Sequence, residues 1–242
     1  MRNINYLLLS IVFVACTAAP DANEIVNKAI IASGGELFET TEIQFEFRDR
    51  EYGHKKVEGN FEYVRIFEDS SRAIRDVLTN SGFTREIDGK VTAVPDTMAA
   101  KYSNSVNSVI YFALLPYGLN DAAVNKSYVE LTTLDNKEYH KIKVTFNQEG
   151  GGEDHQDIFI YWIDTNENKV DYLAYSYETD GGGIRFRKAF NERIVNGIRF
   201  VDYVNYKPKS DLVLTDIDKA YKEGALEELS KIELEEIKVN KL

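Results

Sequence analysis

Cysteine, histidine and proline are all scarce in this 242-residue chain, which has one, three and four of them. A single cysteine excludes an intramolecular disulfide, an iron–sulfur cluster and a cysteine-based zinc site, so the stability must come from packing. Three histidines leave little material for a metal centre, because such a site brings three or four ligands together. The sequence therefore predicts neither a metal site nor a cofactor.

Linkers, common catalytic motifs and an excess of basic residues are also missing. No proline-rich, glycine/serine-rich or like-charge block interrupts the chain, so we expect one domain over residues 24–242. Walker loops, dinucleotide fingerprints, nucleophile elbows and His-Glu-x-x-His motifs are absent. Lysine and arginine number 29 against 40 acidic residues, and the net charge is −11. Phosphate backbones repel such a chain, so nucleic acid is not an expected partner.

The only cysteine, Cys16, follows a segment with the order of a secretory signal peptide. Arg2 provides a positive start, residues 6–14 (YLLLSIVFV) form an apolar core, and a small residue precedes Cys16. The apolar run is far shorter than the roughly 20 residues that a membrane-spanning helix needs. Residues 13–16 (FVAC) resemble a lipobox, whose cysteine becomes the acylated first residue of the mature protein. Acylation would also remove a free thiol from an oxidising compartment.

This interpretation predicts a signal peptide over residues 1–15 and a lipid-anchored tether over residues 16–23, with the membrane as the partner of the lipid. The alternative is an ordinary signal peptide cut after Ala18 or Ala19. Neither Asp directly after Cys16 nor a dense acidic cluster is present. We therefore expect an outer-membrane lipoprotein of the cell envelope that faces the periplasm.

Alternation with a period of two residues dominates the rest of the chain and predicts β-strands. Residues 43–47 alternate apolar and polar side chains, whereas residues 158–163 (IFIYWI) are apolar on both faces and predict a central strand. Asp88-Gly89 and Asp135-Asn136 are typical of tight hairpin turns. Successive hairpins of this kind favour an antiparallel meander.

Two helices interrupt the strands. One is predicted near residues 22–33, capped by Asp21, and one near residues 97–115, with Asp96 as its cap. A charged helical segment is predicted at the C-terminal end, over residues 219–231. The fold class is therefore α+β: a curved antiparallel sheet that forms an incomplete barrel wrapped around inserted helices.

The carboxyl half contains a set of motifs that resembles a known family. The motifs are residues 157–164 (DIFIYWID), 182–187 (GGIRFR), 196–200 (NGIRF) and 205–208 (NYKP). As a set they resemble family 6503 of the domains of unknown function, which consists of Bacteroidota lipoproteins. The order of strand, tryptophan, aspartate, turn and strand is also similar to periplasmic lipoprotein carriers of the LolA and LolB type. That second resemblance implies an incomplete antiparallel barrel that holds acyl chains around its helices.

A glycine-rich loop before the predicted central strand contains Asp154, His155 and Asp157. Carboxylates beside an imidazole can hold a metal or take part in acid–base chemistry. The alternative is a solvated hairpin loop whose charges only keep the strand soluble. The sequence leaves this group as a candidate polar site.

Arg185 and Arg187 share one face of a predicted strand. If that face points into the mouth of a barrel, the pair could bind a carboxylate or a phosphate. The alternative is a ladder of ion pairs with residues such as Asp171 or Asp202 on neighbouring strands.

Three further positions carry weaker signals. Asp96-Thr97-Met98 is similar to the short sequence that is glycosylated on threonine in Bacteroidota envelope proteins, which makes Thr97 a candidate glycosylation site. His140 shares a face with apolar residues and is expected to be semi-buried and structural. His54, beside Gly53, is expected to lie in an exposed turn.

Three functions remain open at this point. The first, which we favour, is non-enzymatic binding of an apolar ligand or lipid within a half-barrel. The second is a scaffold lipoprotein with a filled core and a docking partner on its acidic surface. The third is a hydrolase or isomerase that uses residues 153–157 with Arg185 or Arg187, and it requires those groups to converge.

Overall fold

The computed structural model describes residues 19–149, 155–178 and 181–242, which contain fourteen strands and four α-helices. The strands form two antiparallel sheets. The helices are α1 (Ala22–Ser33), α2 (Leu37–Thr40), α3 (Asp96–Ala113) and α4 (Ile217–Lys222). The strands of the first sheet are β1 (Thr41–Glu46), β2 (Glu51–Val57), β3 (Asn60–Asp69), β4 (Arg72–Thr79), β5 (Gly82–Ile87), β6 (Lys90–Thr92) and β14 (Glu235–Lys241). The strands of the second sheet are β7 (Val124–Leu134), β8 (Lys137–Phe146), β9 (Ile158–Asp164), β10 (Val170–Tyr177), β11 (Gly183–Val195), β12 (Ile198–Pro208) and β13 (Leu226–Ile232).

Each sheet is an open meander of seven strands. The first has the order β14-β1-β2-β3-β4-β5-β6 and the second β13-β12-β11-β10-β9-β8-β7. The last strand returns to the first sheet, where Val239 pairs with Ile43 of β1. The predicted α+β class and incomplete antiparallel barrel are therefore confirmed, with the strands divided between two sheets.

The predicted tight turns join their strands by two residues each. Ile87 pairs with Lys90 around Asp88-Gly89, and Leu134 pairs with Lys137 around Asp135-Asn136. All four turn residues have positive φ. This is the geometry of a type I′ turn, whose twist matches that of the flanking strands.

The central helix α3 lies between the two sheets and contacts both. Ile110 and Leu114 pack with Ile43 and Phe45 of the first sheet. Tyr111 and Phe112, one helical step away, pack against the apolar face of the second sheet. A helix that is apolar on two sides can bury both of them only between two layers.

Helix α1 covers the same face of the second sheet. Asp21 caps it, since the carboxylate accepts a hydrogen bond of 2.9 Å from the backbone N–H of Asn23. Ile25, Val26 and Ala29 are buried against β9 and β12. Gly34 ends the helix with φ +143, a conformation that a residue with a Cβ rarely adopts.

The C-terminal segment differs from the prediction. Helix α4 ends at Lys222, and residues from Leu226 to Ile232 form β13, which pairs with β12. The charged composition suited a solvated helix, but pairing with the free edge of the second sheet outweighs that local preference. Gly224, with φ +68, turns the chain from helix to strand.

Two smaller predictions are also wrong. Asp96 is the first residue of α3 instead of its cap, because Pro95 precedes it and the Pro95 carbonyl accepts the first helical hydrogen bonds. His54 is buried, with 1% of its surface exposed, because it lies within β2 and not in a turn. Its ring packs near Tyr63 and Tyr117.

Candidate ligand-binding cavity

A cavity of about 460 Å³ lies between α3 and the face of the second sheet that α3 covers. Helix α3 forms one wall, with Asn107, Ser108, Tyr111 and Phe112. Strands β8 to β13 form the opposite wall, and Phe47 and Arg48 from the turn after β1 complete the rim. The volume falls within the range of small-molecule binding sites, about 300–1,000 Å³.

Aromatic rings form most of the apolar lining. Phe112 lies 5.3 Å from Tyr175 and 6.1 Å from Phe159 between ring centroids. Phe146 and Tyr111 both meet Phe159 edge to face, at 5.7 and 5.8 Å. Such offset and edge contacts are the favourable arrangements of aromatic rings, so these walls support one another.

Two buried tyrosines at the cavity, Tyr161 and Tyr203, have raised pKa values. The hydroxyl oxygens of Tyr111 and Tyr161 lie 2.6 Å apart and share a hydrogen bond. Burial raises the pKa of Tyr161 well above its usual value and raises the pKa of Tyr203 to about 12. Tyr203 therefore adds no charge to the lining at neutral pH, and Tyr161 supports the lining through its hydrogen bond to Tyr111.

Arg187 is the most buried cation in the lining, with 8% of its surface exposed. Its guanidinium carbon lies 3.8 Å from the ring centroid of Phe112, and Nη2 donates a hydrogen bond of 2.9 Å to Tyr175 Oη. The Nε atom is buried without a hydrogen-bond partner. Asn205, which faces Arg187 across β11 and β12, also has a buried Oδ1 without a partner.

The structure brings three of the predicted polar residues to this cavity. Asp157, Arg185 and Arg187 all line it, whereas His155 lies in the turn before β9 and outside the lining. Asp154 lies outside the described residues. Arg185 donates a hydrogen bond of 2.9 Å from Nη1 to the carbonyl of Ile184 and sits over the ring of Tyr177.

The strand register separates Asp157 from Arg187. Arg187 pairs through Leu173 with Tyr161, four residues beyond Asp157 along β9. At about 3.3 Å per residue, the two positions lie roughly 13 Å apart along the strands. The convergence that an acid–base site needs is therefore not seen between these two groups.

The acidic residues considered as ladder partners are engaged elsewhere. Asp171 pairs with Arg199 at 3.2 Å, and Asp202 pairs with Arg193 at 2.7 Å. The described part of the chain shows no carboxylate paired with Arg187. The pair of arginines thus faces the cavity and does not form the predicted alternative, an ion-pair ladder with Asp171 or Asp202.

The remaining sequence candidates lie away from the cavity or beyond the described chain. Thr97 is exposed in the first turn of α3. His140 is half-buried beside Tyr128. Cys16 lies outside the described residues.

The described residues form neither a cluster of metal ligands nor a helix that could span a membrane. Across residues 19–149, 155–178 and 181–242, cysteine, histidine, aspartate and glutamate nowhere gather in the groups of three that could hold a metal ion. In that same portion, every helix is too short or too polar to cross a bilayer.

Sequence reasoning missed the aromatic contribution of α3. The helical pattern showed an apolar stretch, but Tyr111 and Phe112 form a wall only because α3 packs against the second sheet. It also missed Asn205, since an asparagine within a predicted strand carries no signal of its own.

Comparison with known proteins gives the chain a family and a fold. The sequence pattern of a family of unknown function, DUF6503, matches residues 3–234, and the chain belongs to this family. No curated protein sequence matches the chain at a significant level.

Two solved structures resemble the fold. A LolA superfamily protein from Nitrosomonas europaea is similar with a TM-score of 0.53 and 12% identity, over 93% of this chain and 96% of that protein. A DUF1329 family protein from Desulfovibrio piger is similar with a TM-score of 0.50 and 9% identity, over 90% and 92% of the two chains. At such low identity the likeness concerns the fold alone, and it agrees with the LolA-like architecture expected from the sequence.

Proposed function

We propose that this member of the DUF6503 family is a lipid-anchored envelope protein that binds an apolar or amphiphilic ligand between α3 and the second sheet. The observation that carries the proposal is the aromatic cavity of about 460 Å³, which side chains of the described residues line but do not fill. A concave site with an aromatic and aliphatic lining and polar groups at defined positions is the usual form of a small-molecule pocket.

The energetics favour an apolar occupant. Water in such a cavity finds few partners on the faces of Phe112, Phe146 and Phe159. Each methylene group moved from water into an apolar site gains about 0.8 kcal/mol. An acyl chain that lies along these rings would therefore bind more strongly with each added carbon.

The N-terminal sequence provides the cellular setting for this activity. Acylation at Cys16 would hold the domain at a membrane, which we propose to be the outer membrane on its periplasmic side. The six residues 16–21 span at most about 20 Å, so α1 would lie close to the lipid surface. The resemblance to LolA and LolB carriers supports the same interpretation, because those proteins hold acyl chains in a fold of this kind.

The test is native mass spectrometry with lipid extraction on protein purified from its own envelope. We expect a co-purifying ligand with an acyl chain. Ser108→Trp would fill the cavity from α3 and should remove the ligand, because the new ring occupies its space. Lys101→Trp, on the exposed side of the same helix, is the matched control and should retain it.

Two outcomes would contradict the proposal. An empty wild-type protein that also fails to take up added lipid would favour a scaffold with a partner on its surface. Equal retention by both variants would place the ligand outside this cavity.

A parallel measurement on Cys16→Ser tests the lipid anchor, since this variant should leave the membrane fraction.

A further inference from the structure

We infer that the ligand carries an anionic head group, most simply the carboxylate of a single-chain fatty acid, and that Arg187 binds it. This inference rests on the proposed function and specifies the chemistry of its ligand. Three separate observations support it: an incompletely bonded guanidinium, an unsatisfied amide opposite it, and a local excess of positive charge.

The guanidinium of Arg187 is buried without a counter-ion among the described residues. It has five N–H donors, and the structure shows one hydrogen bond, to Tyr175 Oη, with Nε unpartnered. Stacking on Phe112 offsets only part of the free-energy cost of burying this charge, since cation–π contacts are weaker than a buried ion pair. A buried charge in this state favours an anion that enters the cavity.

Asn205 provides a second unsatisfied group at the facing strand position. Its Oδ1 has no partner, and its Nδ2 makes a long hydrogen bond of 3.4 Å to Ser230 Oγ. Rotation of the amide would bring an N–H donor to the same anion that Arg187 binds. Arg187 and Asn205 are direct cross-strand partners, so both can reach one head group.

The charge of the lining is opposite in sign to that of the whole protein. Arg48, Arg185 and Arg187 line the cavity, and Asp157 is the single acidic side chain among the described residues of the lining. The chain as a whole has a net charge of −11. Asp157 lies at the level of Tyr177, toward the loop end of the strands and away from Arg187. A positive site in an acidic protein selects anionic ligands locally.

The aromatic groups continue from the polar end and would hold the chain of the same ligand. Phe112 contacts both Arg187 and the ring cluster of Phe159 and Tyr175. A carboxylate at Arg187 would therefore place the first methylenes against Phe112. This order of groups matches a fatty acid and not a neutral or cationic lipid.

The experiment measures the binding of cis-parinaric acid and of its methyl ester by their fluorescence. The two probes share one chain and differ in charge. We expect the full-length protein to bind the acid at least about tenfold more tightly than the ester, the gain of one hydrogen-bonded charge contact. Arg187→Gln should reduce affinity for the acid by about the same factor and leave the ester unchanged.

Arg72→Gln removes an equal charge from an exposed position outside the cavity lining and is the matched control. It should change affinity for the acid by less than about twofold, because solvent and salt screen exposed charges. Arg187→Lys keeps the charge and should restore part of the preference for the acid. Displacement by oleate or by oleoyl-lysophosphatidate then tells whether the oxyanion belongs to a carboxylate or a phosphate.

The outcomes separate the two proposals. Equal binding of acid and ester by the wild-type protein would overturn the head-group inference and leave the cavity function intact. Failure of both probes to bind would overturn the cavity function itself. If Arg187→Gln does not fold, as judged by circular dichroism, the comparison of the two probes on the wild-type protein still decides whether the site prefers an anion, and Arg187→Lys then tests the role of Arg187.

Discussion

The two seven-stranded sheets differ in how many of their faces are covered. Strand β9 of the second sheet is buried along almost its whole length, whereas β1 of the first sheet alternates between buried and more exposed positions. Helices α1 and α3 cover one face of the second sheet, and the segment around α4 packs on the other. The first sheet packs its covered face against α2 and α3, and its other face carries charged residues such as Lys55 and Glu62.

This difference means that the cavity lies against the sheet that is packed on both faces. A sheet that is packed on both faces gives a rigid wall, and the cavity uses that wall. The buried residues of the first sheet include charged side chains. Asp76 accepts hydrogen bonds from both Arg65 and Arg85, at 2.6 to 3.0 Å. Ser105 of α3 also accepts a bond from Arg65, so this group attaches α3 to the first sheet.

The largest loss of stability is expected at Trp162, on the face of β9 that points away from the cavity. The side chain is fully buried beside Phe186. Trp162→Ala should lower the free energy of unfolding by about 3–5 kcal/mol, because it leaves a large void. Val91→Ala in the first sheet, where the side chain is 74% exposed, should change it by less than about 0.5 kcal/mol. If urea unfolding gave equal losses for Trp162→Ala and Val91→Ala, the difference in burial between these strands of the two sheets would be contradicted.

A smaller loss is expected from the charged group of the first sheet. Asp76→Asn would leave Arg65 and Arg85 without their shared carboxylate and should cost about 3 kcal/mol. Chemical denaturation followed by circular dichroism measures this loss. Asp69→Asn, whose pair with Arg72 is exposed, is the control and should be nearly neutral. A cost below about 1 kcal/mol at Asp76 would show that water already screens the group.

The smallest effect concerns the pH dependence of the first sheet through His54. Burial lowers the pKa of this imidazole from 6.5 to about 4, and both ring nitrogens lack partners. The unfolded state therefore binds more protons than the folded state between these values, and stability falls as pH decreases from about 6.5 to 4.

The size of this effect is about 2–3 kcal/mol over that window. His54→Phe keeps an aromatic ring but cannot bind a proton, so its stability should fall less over the same range. Thermal unfolding of both proteins at pH 7 and pH 4 checks this difference. Parallel losses in the two proteins would exclude His54 as the source.

Much of the local structure was predictable because it depends on neighbours in sequence. The cap at Asp21, the turn at Asp88-Gly89 and the central strand at residues 158–163 all follow from local conformational preferences and alternation. The wrong assignments share an opposite cause. β13 forms because an edge strand was available, and His54 is buried because β2 is covered by Tyr117 from a distant segment.

The candidate site was predictable only in part. Arg185 and Arg187 share a face by strand periodicity alone, and the sequence singled them out for that reason. That the face meets Phe112 of α3, and that Asp171 and Asp202 pair with other arginines, depends on residues far apart in sequence.

By itself the sequence determined the α+β class, most helices and turns, and the alternation that places Arg185 and Arg187 on one face of a strand. These properties arise within a few residues. Only the tertiary structure decided that the strands form two sheets, that α3 lies between them, and that Arg187 is buried at an aromatic cavity. Those features come from long-range burial and pairing, in which each segment takes the partner that removes the most apolar surface and the most unpaired backbone from water.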